Sequence, residues 1–185
     1  MFDIYKMSKK TNLNITIYDN LTMFQEIVED LQNTLKSNFA QIHFLLKKNP
    51  AIAYREITEI GKSVGKKYGI NLLINFPHEG KIENFDMHGK QDLSLLIDME
   101  RKNFPIDREI IKKKALEILG EVKTEDAYMY EGKEGVRIIF GDNIQDKIDI
   151  LPHSLHIWYE FTEQVTEFCD WLLVNVYQMK KEDFS

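Results

Sequence analysis

The apolar residues between positions 20 and 48 constrain this chain more than any others. Phe24, Ile27, Val28, Leu31, Leu35, Phe39, Ile42 and Leu46 follow one another mostly in steps of three and four, which lays them along one side of an α-helix. Asp19 or Asn20 is placed to cap the first turn. Asn49-Pro50 ends the helix, because a residue before proline is pushed out of the helical region. At ~1.5 Å per residue the stretch makes a rod of roughly 40 Å. One side of it has to be covered along its whole length, so the remaining chain must supply a matching layer.

Residues 1–11 are polar and basic and read as a flexible leader, and residues 12–185 read as a single α+β domain. Residues 14–18 (NITIY) alternate and predict a short strand. Residues 51–68 predict a second helix, with Tyr54, Ile57, Ile60, Val64 and Tyr68 on one face and Gly69 as its stop. The short connection at Asn49-Pro50 makes the two helices an antiparallel hairpin.

The texture then changes. Residues 70–76, 81–87 and 92–99 predict three strands in an antiparallel meander whose last strand is interior. Asp107 caps a helix over 108–119 that Gly120 closes, and Gly132-Lys-Glu-Gly135 reads as the turn of a hairpin. Residues 141–151 fit no single pattern. Ser154 reads as the cap of a closing helix to about Lys180, with Trp158, Phe161, Val165, Phe168, Leu172 and Val176 as its stripe. The expected fold is therefore α+β, with long N- and C-terminal amphipathic helices packed on a mostly antiparallel sheet of about five strands.

Composition narrows the function classes. A hydrophobic content of 43% argues against disorder. A net charge of −6 disfavours nonspecific binding to nucleic acid or anionic membrane, leaves room for a local basic patch, and suits a basic partner. Cys169 is the only cysteine, so it forms no internal disulfide and no multi-cysteine zinc site, and its place in an apolar run fits core packing. No apolar run has signal-peptide or membrane-spanning length. The expected location is cytoplasmic, away from membranes.

The motifs are few. Gly61-Lys-Ser-Val-Gly65-Lys-Lys67 has three residues between its glycines, sits in a predicted helix and lacks the Ser or Thr of a phosphate loop. Those glycines instead suit close helix–helix approach, with Lys62 and Lys66 facing solvent. His153 and His156 could share one side of a helix start, but no third ligand accompanies them. Asp142, Asp146 and Asp149 lack the spacing of a calcium loop. No resident metal or cofactor is expected.

Asp98-Met-Glu100-Arg-Lys102 ends the third apolar run. Period two sets Asp98, Glu100 and Lys102 on one face, and Asp86, at the end of the preceding predicted strand, can approach them. An Asp followed by Glu-x-Lys after an apolar strand resembles the active-site pattern of the metal-dependent nuclease superfamily that includes restriction enzymes and Holliday-junction resolvases. That resemblance implies Mg²⁺ held by the carboxylates, a lysine orienting the attacking water, and a nucleic-acid substrate. Glu56 or Glu59 would be the further acid that some members carry.

The closing helix carries Glu160, Glu163, Glu167 and Asp170, spaced three, four and three. They form a stripe opposite the apolar one, and four carboxylates without interleaved lysines repel one another along a helix. As a docking surface they would steer a basic protein partner. The leading expectation is accordingly a small acidic protein that acts by binding, of the inhibitor, immunity or adaptor type, without catalysis. The nuclease using Asp86, Asp98, Glu100 and Lys102 is the alternative. A homodimer formed by helix pairing is a third possibility.

Overall fold

A computed structural model describes residues 21–75, 94–99, 102–129, 132–141, 147–158 and 162–183. Five α-helices and six strands occur among them. In chain order they are α1 (Met23–Ser37), α2 (Phe39–Lys48), α3 (Pro50–Lys66), β1 (Asn71–Asn75), β2 (Ser94–Asp98), α4 (Arg108–Leu119), β3 (Val122–Met129), β4 (Gly132–Phe140), β5 (Lys147–Leu151), β6 (Ser154–Trp158) and α5 (Glu163–Asn175). A short 3₁₀ turn follows at Lys181–Asp183.

The helix expected over 20–48 is two helices, not one rod. Its cap is Thr22, which forms a capping box with Gln25: the Thr22 hydroxyl accepts from Gln25 N–H, and the Gln25 side chain accepts from Thr22 N–H. That reciprocal pair displaces Asp19 and Asn20 as the start. The break is at Asn38 (φ −106°, ψ 5°), whose side-chain amide donates to the Thr34 carbonyl at 2.8 Å. A short polar side chain that satisfies a helix-end carbonyl competes with continuation of the backbone ladder. The apolar stripe survives the break, since Leu35 and Ile42 are buried and Phe39 packs against the core.

Pro50 starts α3 as expected, and the chain leaves it through Gly69 at φ +67°. Ile70 N–H reaches Gly65 O and Gly69 N–H reaches Lys66 O. These are the two hydrogen bonds of a Schellman end, which needs a left-handed residue where glycine is strain-free. Tyr68 binds α3 to α1 by donating to Asp30 at 2.5 Å, and burial together with that carboxylate pushes its phenol pKa up.

The sheet has the order β1-β2-β6-β5-β4-β3, and every pairing is antiparallel. Two expectations change here. β1 and β2 pair directly, Leu72 facing Ile97, so they do not flank a middle strand as a meander requires. β3 pairs with β4 out to Met129 and Gly132, so Gly132 and Gly135 both lie within the strand, and a register shift at Ala127/Tyr128 absorbs Glu134 as a bulge. The strand expected at 14–18, the one at 81–87 and the leader at 1–11 lie outside the described residues.

The largest correction concerns residues 154–158. They form β6, an interior strand between β2 and β5, and the closing helix begins only at Thr162, whose hydroxyl accepts from Val165 N–H. Leu155 and Ile157 are buried while His156 and Trp158 lie on the opposite side, a period of two. The steps of three and four from Trp158 onward overlap that alternation, and the strand on either side decides between them.

Leu72, Ile97, Leu155, Ile150 and Val136 lie across one face of the sheet, with Leu95, Ile157, Ile148 and Ile138 in the next row. All nine join one core with Phe24, Ile27, Leu31, Ile57, Val64, Ile111, Phe168, Leu172 and Tyr177 from the helices and C-terminal segment. Phe24 and Phe168 are both 0% exposed. Gly61 and Gly65 serve a helix–strand contact rather than the expected helix–helix one: a Cβ on Gly61 would lie 2.5 Å from Leu72 O, and one on Gly65 would lie 2.7 Å from Ile70 O. No described helix is long and apolar enough to cross a membrane.

Candidate functional site: the helix-free face of the sheet

Because side chains alternate along a strand, the residues between the core positions point away from the helices. Leu73, Leu96, His156, Asp149, Arg137 and Glu125 form one row there, and Trp158, Lys147, Ile139 and Lys123 form the next. Leu73, Leu96, Ile139 and Trp158 are half-buried and outside the helix-packed core. This face is mixed in character: apolar groups at one end, ionic groups at the other.

Its charged centre is a fork. Arg137 Nε donates to Asp149 Oδ1 at 2.7 Å, and its terminal nitrogen donates to Oδ2 at 3.0 Å. The bond to Asp149 raises the already high pKa of the guanidinium, so Arg137 stays charged. Asp149 is buried, and this bidentate contact offsets the cost of hiding its charge.

Next to the fork, His156 and Trp158 lie with ring centroids 3.4 Å apart, and Lys147 Nζ is 4.6 Å from the Trp158 centroid. Burial lowers the His156 pKa to about 4; Lys147 and Arg137 push the same way and Asp149 opposes them. His156 is therefore neutral near pH 7. The side chains of this face are thus held against one another by the fork, the ring contact and the cation over the indole.

The expected acidic stripe is divided. Glu163 and Glu167 are exposed on α5, one turn apart. Asp170 instead turns toward α1, where its carboxylate accepts from Phe24 N–H at 3.3 Å and caps that helix from outside. Burial pushes the Asp170 pKa up, against the pull of the Phe24 and Met23 N–H groups, the Thr22 side chain and Lys181. Glu160 lies outside the described residues. Trp158, expected on the closing helix, is on β6, and Trp171 is on α5.

Of the nuclease constellation, Asp98 ends β2 between Asn71 and Ser154, and Lys102 is exposed in the irregular segment before α4. Asp86 and Glu100 lie outside the described residues. Among the described residues no cluster of three His, Cys, Asp or Glu side chains could hold a metal ion. His153 is in the β5–β6 turn and His156 in the strand, not together on a helix start. Cys169 is fully buried and its thiol pKa is raised by that burial, as a packing residue requires.

Arg137, Lys147, His156 and Trp158 escaped the sequence reading as a set, and Asp149 entered it only as a rejected calcium ligand. Their signal was available in Lys147-Ile-Asp-Ile-Leu151 and Ser154-Leu-His-Ile-Trp158, where polar or aromatic residues alternate with Ile and Leu. No family model, curated protein or solved structure matches this chain.

Proposed function

We propose that this protein acts by binding a partner protein, without catalysis of its own, through the helix-free face around Trp158. One observation carries the reading: the partly exposed Leu73, Leu96, Ile139 and Trp158 share with the Arg137–Asp149 fork a surface that no described helix covers. Aromatic residues and arginine are the types enriched at protein interfaces. Glu163 and Glu167 add to a net charge of −6, which speeds the approach of a basic partner over several ångströms of solvent.

Affinity capture with the immobilised chain tests this. One polypeptide should be retained by the wild type, lost with Trp158→Ala, and weakened by Glu163→Lys/Glu167→Lys, with circular dichroism confirming that each variant is folded. Equal recovery by all three proteins overturns the reading. So does nicking of plasmid DNA in Mg²⁺ that Asp98→Ala and Lys102→Ala abolish, which would put the nuclease in its place.

A further inference from the structure

Charge is distributed unevenly along this chain. It has 30 acidic and 24 basic residues, yet no Asp or Glu occurs between Asp30 and Glu56, where Lys36, Lys47, Lys48 and Arg55 are found. This acid-free stretch ends α1, makes all of α2 and starts α3. Only Asn49 separates α2 from α3, so Lys48 and Pro50 mark the tip of a helical hairpin.

The tip is also apolar. α2 buries a single residue, Ile42, although it carries Phe39, Phe44, Leu45 and Leu46 as well. Phe44 is 59% exposed, the largest value for a large apolar side chain on the described helices, and Ile52 across the turn is 37% exposed. Phe44 has Lys47 and Lys48 as its i+3 and i+4 neighbours, and Ile52 has Arg55 at i+3. Lys47, Lys48 and Arg55 are exposed, and no described carboxylate pairs with them.

We propose that the α2–α3 tip docks on an anionic lipid bilayer. Phe44 and Ile52 enter the boundary between headgroups and acyl chains, and Lys47, Lys48 and Arg55 face the headgroup phosphates and carboxylates. Apolar tips flanked by lysine are what an anionic interface takes up, and a peripheral contact of this kind needs no spanning helix. A protein interface fits less well because lysine is depleted from interface centres. A nucleic-acid backbone would engage the cations but give Ile52 nothing apolar to contact. The net charge of −6 disfavours a nonspecific approach to such a surface, but screening confines each charge's reach to about 8 Å at physiological salt, so the basic tip dominates at close range. This site is separate from the sheet face and does not depend on it.

Co-sedimentation of the full chain with vesicles tests the proposal. The protein should pellet with phosphatidylserine-containing vesicles, less so as salt rises, and stay in solution with pure phosphatidylcholine. Each basic residue near such a surface contributes about fivefold, so Lys47→Glu/Lys48→Glu should lower the partition about 25-fold or more. Phe44→Ser should lower it about fivefold. Both changes are on exposed positions, and an unaltered circular dichroism spectrum shows that the fold is kept. Absence of pelleting with anionic vesicles at low salt, equal pelleting with neutral ones, or full binding by the variants overturns it. Preferential binding of an oligonucleotide through the same lysines, indifferent to Phe44→Ser, overturns it as well.

Discussion

His156 is held among groups that all act on its proton. The ring lies beside Trp158, with Lys147 and Arg137 on one side of the balance and Asp149 on the other, and burial outweighs them. Its pKa in the folded chain, about 4, is below the ordinary 6.5. Between those two values the unfolded chain binds the proton and the folded one does not. The stability tied to neutral His156 is therefore complete above pH 6.5 and is lost as pH falls toward 4. Urea midpoints measured across that window should fall more steeply for the wild type than for His156→Gln. Parallel profiles would show that the imidazole is not desolvated. At the same scale Asp170 shows how a residue's neighbourhood overrides its type: an acid on a helix face reads as solvated, yet it closes the start of α1.

Elements were legible where capping and periodicity agreed. Asp107 and Gly120 bound α4, and Pro50 starts α3, because these residues act on their own backbone and need no distant partner. β6 was misread because Ser154-Leu-His-Ile-Trp158 serves two periods at once, and Leu95, Ile148 and their neighbours on β2 and β5 select the strand. The contact of α3 with β1 was hidden too, since a glycine in a helix does not say what approaches it. Gly61→Ala should cost about 1–3 kcal/mol, because the added methyl meets the Leu72 carbonyl, which belongs to a paired strand and cannot move aside. Chemical denaturation measures that loss. An unchanged midpoint would mean that α3 can lift from the sheet at little cost.

Across the whole molecule one hydrophobic core joins α1, α3, α4 and α5 to strands on both flanks of the sheet, from Leu72 on β1 to Val136 and Ile138 on β4. Its two tryptophans report on opposite sides: Trp158 on the helix-free face, Trp171 in the helical layer near Lys114. Single-tryptophan variants made by Trp158→Phe and Trp171→Phe should unfold at the same denaturant concentration, matching circular dichroism, because elements sharing one core lose it together. Separated midpoints would divide the chain into independent units. The sequence by itself determined the class of the fold, several helix ends, the burial of Phe24 and Phe168 and the role of Cys169, all of which follow from local geometry and from the cost of wetting oil. Tertiary structure alone decided that 154–158 is a strand, that Asp170 faces inward, and that Arg137, Asp149, His156 and Trp158 share a surface. Those outcomes depend on which residues, far apart in the chain, meet across the sheet, and periodicity along a single segment carries no record of its partners.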